Sequence, residues 1–268
     1  MIMNNSAAIV TGASRGIGKA IAKRFVESGY SVTLVSNEEK EMIKASRKWP
    51  QDRLLLLCGD LTDMSFVKEV VDRSLEKWGR LDVLVNNAAW RTVESMRHMT
   101  LETWEKTLRI CLTVPAFLAK WSASVMERNG GGTIVNISSI MSERAAGTSP
   151  VYVACKGALL SLTYELAALY GPVGIRVVAL KPGNVKTQMS QDFTDKDGVN
   201  ISEQLISNME NATPLQRSAS TDEIAGTVLW LCGPDASFIT GTSLTVDGGF
   251  THNFDHYRIK RMQFPNEF

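Results

Sequence analysis

Cysteine and histidine are scarce in this sequence. Its 268 residues include four cysteines and three histidines. The cysteines, Cys58, Cys111, Cys155 and Cys232, form no C-x-x-C pair and lie next to no histidine. Disulfide frameworks and zinc sites require closely spaced cysteines or histidines, so the sequence predicts neither. We expect reduced thiols, as in the cytoplasm, and no bound metal.

An excess of charge of either sign is also absent. Lys and Arg total 29 against 28 Asp and Glu, which gives a formal net charge of +1. The basic residues are not clustered, so we expect no binding to nucleic acid or to an anionic membrane. The N-terminus lacks a basic region followed by an apolar run, and no apolar stretch of membrane-spanning length is evident. We therefore expect a cytoplasmic protein without a signal peptide or a membrane segment.

The most informative stretch lies in the middle of the chain. Residues 133–137, TIVNI, are apolar and β-branched and predict a buried strand that leads directly into Ser138 and Ser139. Beyond a loop, Tyr152 and Lys156 are four residues apart at the start of a helical pattern. That spacing places both side chains on one helix face.

Tyr152 and Lys156 together suit acid–base catalysis. A phenol has a pKa of about 10, far from the working pH of most enzymes. One positive charge at roughly 4 Å stabilises an ionised phenol by about 4 kcal/mol at an effective dielectric of about 20, and Lys156 can supply that charge. Ser139 can donate and accept hydrogen bonds, which suits a carbonyl oxygen that becomes an alcohol. For the motif alone, a half-buried tyrosine packed on a helix is the alternative.

A glycine-rich turn follows the first strand pattern. Residues 7–10 are apolar, residues 11–18 read TGASRGIG, and residues 19–28 carry apolar residues at helical spacing. In such a turn the backbone can approach a pyrophosphate, and the helix N-terminus offers free N–H groups to it. The spacing G-x-x-x-G-x-G differs from the G-x-G-x-x-G fingerprint, so a tight structural turn is the alternative.

The end of the second strand pattern bears on the choice of nucleotide. Residues 31–35 form that strand, Ser36 and Asn37 follow it, and the first acid is Glu38. An acidic residue at the strand end would bind the ribose 2′-hydroxyl of NAD and repel the 2′-phosphate of NADP. Because none is present there and Arg15 is available from the turn, we expect NADP(H) to be preferred, with NAD(H) also possible.

The rest of the chain continues the alternation of strands and helices. Further strands are predicted at residues 53–58, 83–85, 176–180 and 243–246, and helices at 64–78, 101–126, 152–170 and 221–232. This pattern predicts an α/β fold whose parallel sheet is covered by helices on both faces and binds ligands at the carboxyl ends of its strands. Residues 188–215 are polar and irregular, which predicts a substrate-covering lid at about 184–215. No linker or repeat divides the chain, so we expect one domain.

With these motifs the sequence resembles the short-chain dehydrogenase/reductase family over residues 7–250. The family's T-G-x-x-x-G-I-G motif stands at residues 11–18, its N-N-A-G motif at 86–89 as NNAA, and its Y-x-x-x-K motif at 152–156. Ser139 lies 13 positions before Tyr152, as the family's serine does. The Pro-Gly turn at 182–183 and the DGG ending at 247–249 also match.

The resemblance implies a single catalytic domain, residues 1–250, with a Rossmann-type doubly wound parallel sheet of seven strands, assembled into a homotetramer or homodimer. Tyr152 would be the acid–base group, Ser139 would orient the substrate oxygen, and Lys156 would bind the nicotinamide ribose and assist Tyr152. The implied reaction is hydride transfer that interconverts a small secondary alcohol and a ketone. The implied cofactor-binding residues are Gly12, Ser14, Arg15, Gly16, Ile17, Gly18, Ser36, Asn37, Asp60, Leu61, Asn87, Tyr152, Lys156, Pro182, Gly183, Val185 and Thr187.

One departure from the family pattern concerns catalysis. Many members carry an asparagine seven residues after a Trp, where it holds a proton-relay water, whereas Trp104 here leads to Cys111. A thiol is a weak hydrogen-bonding group, so either backbone and water carry the relay or turnover is reduced. The alternative function is therefore a cofactor-binding sensor or scaffold that keeps the fold with weak catalysis.

The substrate side is the least defined part of the prediction. A sugar or other polyol, a cyclic alcohol and a 3-oxoacyl thioester all fit, and the likeness of the tail to sugar-dehydrogenase members favours the first. Arg144 is either an anchor for an acidic substrate or a solvated loop residue. The aromatic extension 251–268 is either a frayed terminus or packed near the active-site mouth. The residues expected to line this side are Trp90, Arg91, Met141, Arg144, Asn184 and Met189.

Overall fold

Seven parallel strands form one sheet in the computed structural model, which describes residues 6–191 and 193–268. Their order across the sheet is β3-β2-β1-β4-β5-β6-β7. The order of addition reverses between β1 and β4, and open sheets of this kind bind ligands beside that point, outside the carboxyl ends of the strands. The predicted Rossmann-type doubly wound sheet is confirmed. The strands are β1 (Ala7–Thr11), β2 (Ser31–Ser36), β3 (Leu54–Cys58), β4 (Val83–Asn86), β5 (Gly132–Ile137), β6 (Ile175–Pro182) and β7 (Thr242–Val246).

Helices cover both faces of the sheet. One buried apolar cluster joins α1, α2 and α8 to one face, and a second joins α3, α5 and α6 to the other. The helices are α1 (Gly16–Glu27), α2 (Glu39–Ser46), α3 (Met64–Trp78), α4 (Leu101–Leu108), α5 (Val114–Arg128), α6 (Pro150–Tyr170), α7 (Ser202–Ala212), α8 (Thr221–Leu231) and α9 (Tyr257–Gln263).

The alternation of side chains along the strands produces these two layers. In β1, Ala8 and Val10 lie in the first cluster and Ile9 in the second, because successive strand residues point to opposite faces. Every residue of β1 is buried, as expected for a central strand of a parallel sheet. Full burial of one valine or isoleucine side chain stabilises a fold by roughly 1.5–3 kcal/mol, so the two layers provide much of the driving force for folding.

Several elements differ from the predicted pattern. Helix α1 begins at Gly16, inside the glycine-rich motif, and β3 begins at Leu54 because a short 3-10 turn ends at Arg53. Helix α2, which buries only Met42 and Ser46, was not predicted from the sequence. The segment expected to be irregular contains α7, and the C-terminal extension contains α9, so neither is wholly irregular.

The segment from α4 to α5 corrects one expectation. Together with a π-helical turn at Arg109–Thr113 it forms a continuous helix, Leu101–Arg128, of 28 residues, with a mean hydropathy of 1.2 in its most apolar window. By length and composition it could cross a membrane, so the expectation that the chain has no such segment was wrong. Core helices of water-soluble proteins pass the same test, and 44% of the window is buried inside the protein. Val114, Leu118 and Ala123 pack against the sheet in the second cluster.

The four cysteines are free thiols in different surroundings. Cys111, Cys155 and Cys232 are buried, whereas Cys58 is exposed at the end of β3. Desolvation by burial raises the pKa of Cys155 to about 12 and that of Cys232 to about 12. Within residues 6–191 and 193–268, no group of three or more His, Cys, Asp and Glu side chains is placed to hold a metal ion.

These surroundings predict selective thiol labelling. At about pH 8 we expect one thiol of the folded chain, Cys58, to react rapidly with Ellman's reagent, because the thiolate is the reactive form and the other thiols are shielded. Unfolding in guanidinium should expose all four cysteines. The Cys58→Ser variant should lose the rapid phase, and a rapid phase that persists in this variant would contradict the burial of the other three.

Candidate active site

Two hydrogen bonds join the end of β5 to α6. The Ser138 hydroxyl donates to the Lys156 carbonyl oxygen at 2.9 Å, and Lys156 Nζ donates to the Ile137 carbonyl oxygen at 2.6 Å. Ile137 is the last residue of β5, and Lys156 lies in the second turn of α6. The pair of bonds fixes the first turns of α6 beside the carboxyl end of the strand, where Ser139 follows.

Tyr152 and Lys156 are buried side by side on α6. Their side chains are 9% and 2% exposed, and Lys156 Nζ lies 5.4 Å from the centroid of the Tyr152 ring. The buried ammonium has a carbonyl acceptor in Ile137, as a buried charge requires. The ammonium of Lys156 is therefore the charged group that lies beside the Tyr152 ring.

Ser139 follows the end of β5, and its hydroxyl oxygen is an acceptor for the backbone. Its oxygen accepts a hydrogen bond from the Met141 amide at 3.1 Å and caps the short turn Ile140–Ser142. Because the oxygen is used as an acceptor by the backbone, the hydroxyl hydrogen can be directed outward to another oxygen. Met141 in turn packs in the small apolar cluster that contains Tyr152 and Cys111.

A buried polar network lies beneath these residues. Asn86 Nδ2 donates to Asn136 Oδ1 at 2.8 Å, and Asn136 Nδ2 donates to the Thr163 hydroxyl oxygen at 2.9 Å. Thr163 then donates to the Leu159 carbonyl oxygen at 2.7 Å. The network connects β4, β5 and α6, so it fixes the relative positions of the elements that carry Asn87, Ser139 and Tyr152.

The glycine-rich turn is packed against the loop that follows β4. Asn87 Nδ2 donates to the Thr11 carbonyl oxygen at 2.8 Å and to that of Gly12 at 3.3 Å. A Cβ atom at Gly18 would lie 2.2 Å from the Gly12 carbonyl oxygen and 2.4 Å from Asn87 Nδ2. Only glycine therefore allows the start of α1 to approach the turn this closely.

The start of α1 has the features of a phosphate site. Arg15, at the N-cap, makes no side-chain capping bond, and the first turn, which includes Gly16 and Ile17, contains no acidic residue. The amide groups there and the positive end of the helix dipole are consequently free for an anion. A cavity of about 480 Å³ opens between Gly16 and Thr187, although Tyr152 and Lys156 do not line it.

The end of β2 turns back toward the glycine-rich turn. The buried Ser36 hydroxyl accepts a hydrogen bond from the Glu38 amide at 3.1 Å, while Asn37 is exposed. The Glu38 carboxylate accepts a hydrogen bond from Ser14 at 2.8 Å and forms an ion pair with Arg15 at 3.1 Å. The arginine that the sequence analysis reserved for a 2′-phosphate is thus partly neutralised by Glu38.

The other expected cofactor residues lie at the same edge of the sheet. Asp60 is exposed just after β3, and the Leu61 side chain is buried in the second apolar cluster, so Leu61 can offer only its backbone. Pro182 ends β6 beside Val246 of β7. A Cβ atom at Gly183 would lie 2.7 Å from that of Asp247, so the turn after Pro182 requires glycine. Val185 is buried, and Thr187 caps the next short turn.

Arg91, on the loop after β4, is a second cation near Tyr152. Its guanidinium carbon lies 5.9 Å from the Tyr152 ring centroid and 5.2 Å from that of Phe193, in the segment expected to form the lid. Arg144 instead donates to the carbonyl oxygens of Phe250 and Thr251 at 3.1 and 2.8 Å. Arg144 is therefore an anchor for the C-terminal segment.

Cys111 holds the residue before Arg91. Its sulfur accepts a hydrogen bond from the Trp90 amide at 3.5 Å and donates to the Trp90 carbonyl oxygen at 3.4 Å. Cys111 lies in the π-helical turn, a feature often found at functional sites. Cys111 therefore stands where an asparagine was expected, and its thiol makes two weak hydrogen bonds to the backbone of Trp90.

The C-terminal extension packs on α7. Asn253 Nδ2 donates to the Ala212 carbonyl oxygen at 2.7 Å, and the Arg258 amide donates to Asn211 Oδ1 at 2.8 Å. Tyr257 and Phe268 form an edge-to-face pair at 5.8 Å. The extension is therefore bound to the segment expected to form the lid.

Three residues near the candidate site were not predicted from the sequence. Phe193, a lone aromatic residue in a polar segment, lies near Arg91. Glu38, noted in the sequence only as an acid beyond the strand end, pairs with Arg15. Glu143 accepts a hydrogen bond from the buried Lys181 at 2.6 Å. Their partners are distant in sequence, so no local pattern reveals the contacts. The one available signal was Lys181, because a lysine at the end of a buried strand requires an acidic or polar partner.

The fold and the site together define an NAD(P)-dependent oxidoreductase. The glycine-rich turn, the free α1 N-terminus and the tyrosine and lysine of α6 lie along one sheet edge, as a dinucleotide and its substrate require. The chain belongs to the short-chain dehydrogenase/reductase family, as its resemblance predicted.

Comparisons with known proteins support this assignment. A family model described as enoyl-(acyl carrier protein) reductase matches residues 12–251. Glucose 1-dehydrogenase 2 of Bacillus subtilis is 32% identical over 93% of this chain and 96% of its own length. Cis-4-hydroxycyclohexanecarboxylate dehydrogenase of Sinomonas cyclohexanicum is 33% identical over 91% of this chain and 96% of its own. The ligand-free aldohexose dehydrogenase of Thermoplasma acidophilum superposes with a TM-score of 0.84 at 31% identity, covering 93% and 95% of the two chains.

The reciprocal pair between Cys111 and Trp90 predicts a modest contribution to stability. Cys111→Ala removes both hydrogen bonds and a buried sulfur, so we expect the free energy of unfolding to fall by about 1–2 kcal/mol in urea titrations. Cys111→Ser should lower the free energy of unfolding by less, because the serine hydroxyl can still accept from the Trp90 amide and donate to the Trp90 carbonyl oxygen. Cys58→Ser, at an exposed thiol, is the matched control, and an equally small effect of all three changes would contradict the role of the pair.

Proposed function

We propose that this protein interconverts a secondary alcohol and a ketone by hydride transfer with NAD(P)(H), using Tyr152 as the acid–base group. The observation that carries the proposal is the pairing of Tyr152 with the buried ammonium of Lys156 at the end of β5. A phenol needs such a charge to exchange a proton near neutral pH. We assign Ser139, whose oxygen accepts from the Met141 amide after the end of β5, as a second hydrogen-bond donor to the substrate oxygen.

Each group has a separate role in ketone reduction. The bound nicotinamide supplies the hydride. Tyr152 gives its proton to the carbonyl oxygen as the alcohol forms, and Ser139 donates a hydrogen bond to the same oxygen. Lys156 stabilises the tyrosine anion that remains until a proton returns from solvent. In alcohol oxidation the same proton moves back to Tyr152.

Replacement of Tyr152 by phenylalanine tests this proposal. We expect kcat to fall by about 100-fold or more while nucleotide binding, measured by fluorescence, is retained, because only the proton donor is removed. Tyr164→Phe is the matched control, since Tyr164 is an exposed tyrosine on the same helix. The substrate panel should contain sugars, cyclic alcohols and 3-oxoacyl thioesters with the matching ketones, because the names of two relatives include glucose and a hydroxycyclohexanecarboxylate.

Nucleotide binding without turnover across the panel would instead favour the sensor or scaffold alternative. Full activity of Tyr152→Phe would remove Tyr152 from the mechanism. Binding of neither NADH nor NADPH would overturn the cofactor assignment.

We further propose that NADP(H) is preferred and that NAD(H) is accepted. Neither Ser36 nor Asn37 is acidic, and the Arg15 side chain is 58% exposed near the end of β2. The ion pair with Glu38 reduces the attraction of Arg15 for a 2′-phosphate, so the preference should be moderate.

This arrangement predicts opposite effects of two substitutions. Arg15→Ala should lower the ratio of NADPH to NADH affinity by about tenfold, because one charge-assisted contact is lost. Glu38→Gln should raise the same ratio, since it frees Arg15 and removes a repelling carboxylate. Lys44→Ala, at an exposed lysine of α2, is a charge-matched control. An equal loss of both nucleotides in Arg15→Ala would show that Arg15 does not select between them.

We also propose a cytoplasmic homo-oligomer, either a tetramer or a dimer. Leu159, Leu160 and Leu166 of α6 are buried in the fold, whereas Tyr164 and Leu169 are exposed. Phe117 of α5 is 40% exposed and contacts Trp121. These exposed apolar side chains on α5 and α6 support contact with a second copy.

A further inference from the structure

Arg91 extends from the loop after β4 into the region beside Tyr152. We propose that it binds a carboxylate of the substrate, so that the substrate is a small hydroxy acid or oxo acid. This inference rests on the oxidoreductase function proposed above and names the chemical class of its substrate. Its starting point is the position of the guanidinium, 5.9 Å from the Tyr152 ring centroid.

The guanidinium lies near two aromatic rings. Its carbon is 5.9 Å from the Tyr152 ring centroid and 5.2 Å from that of Phe193, and the Arg91 residue is partly buried. A guanidinium placed over aromatic rings keeps the N–H groups at its edge available for hydrogen bonds in its own plane. Two parallel N–H groups of this kind match the two oxygens of a carboxylate.

The other cations near the site already have acceptors in the protein. Lys156 donates to the Ile137 carbonyl oxygen, Lys181 binds Glu143 at 2.6 Å, and Arg144 donates to two backbone carbonyl oxygens. Glu94, the nearest acid along the chain, instead accepts a hydrogen bond from Thr92 at 2.8 Å. Within residues 6–191 and 193–268, the Arg91 side chain has neither an ion pair nor a hydrogen bond.

The loop holds Arg91 in place before any substrate binds. Cys111 bonds to both backbone groups of Trp90, and Lys106 lies 4.5 Å from the Trp90 ring centroid. Because Trp90 is fixed on both sides, the next residue starts from a defined direction. A preformed cation loses less conformational freedom when it binds an anion, which favours affinity.

The distance limits the size of the substrate. A carboxylate paired with Arg91 would lie close to Tyr152, so the reacting carbon and the acid group belong to one small molecule. The suitable probes are short straight-chain oxo acids whose keto group lies at different distances from the carboxylate. Their methyl esters have nearly the same shape without the charge.

The test compares each oxo acid with its methyl ester in wild type and in Arg91→Gln. We expect wild type to favour the acid in kcat/KM, and the acid-to-ester ratio to fall by about 10- to 100-fold in Arg91→Gln, because a charged hydrogen-bonded pair is lost. The acid-to-ester ratio of Arg91→Lys should lie between those of wild type and Arg91→Gln, since lysine keeps the charge but lacks the planar guanidinium. Arg97→Gln, at an exposed arginine of the same loop, should leave the ratio unchanged.

A binding measurement separates this inference from the proposed reaction. Calorimetric titration of each acid and ester into the complex with NADPH does not depend on turnover, so Arg91-dependent binding of the acid would support the inference even if no probe were reduced. Equal binding of acid and ester by wild type would overturn it. An unchanged acid-to-ester ratio in Arg91→Gln would also overturn it, whereas loss of all turnover in Tyr152→Phe bears only on the proposed reaction.

Discussion

The buried ammonium of Lys156 is the constraint on which the active site depends. A charge that is 2% exposed is unfavourable unless it has a polar partner, and the Ile137 carbonyl oxygen provides one. This requirement holds α6 against the last residue of β5, and the bond from Ser138 to the Lys156 carbonyl oxygen reinforces the same contact. Tyr152 lies one turn earlier on α6 and Ser139 lies two residues beyond β5. The position of one charge therefore fixes the first turns of α6, which carry Tyr152, against the strand end that leads to Ser139.

A second set of contacts joins the glycine-rich turn to the surroundings of Tyr152. The loop after β4 begins with Asn87, which bonds to the glycine-rich turn, and continues to Trp90, which contacts Cys111, and to Arg91, which lies near the Tyr152 ring. The Asn86, Asn136 and Thr163 network lies directly beneath this loop. A displacement of the loop would consequently disturb both the glycine-rich turn and the surroundings of Tyr152.

Most of the sheet and much of the site follow from local sequence patterns. The apolar strands, the TGASRGIG turn and the spacing of Tyr152 and Lys156 are all short-range features, and the structure places them where the patterns indicate. The helices α2 and α7 escaped prediction because each buries too few apolar side chains to leave a periodic signal. The pairs Arg15 with Glu38 and Arg91 with Phe193 could not be predicted, since the chain folds distant segments together to form them. For Arg144, the sequence left open an anchor for an acidic substrate or a solvated loop residue. In the structure its side chain binds backbone carbonyl oxygens of the C-terminal segment instead.

The π-helical turn at Arg109–Thr113 has a consequence for how chain length can vary in this fold. A π turn contains one residue more than the α turn that it replaces, so removal of one residue there can restore a regular helix while α4 and α5 keep their present faces. Elsewhere in the helix a single deletion would rotate one half against the other by about 100°, because an α-helix has 3.6 residues per turn. Cys111 lies in this turn, so the residue that contacts Trp90 occupies a point where removal of one residue leaves the rest of the helix in register. Divergence at this point can therefore alter the active site without disturbing the core.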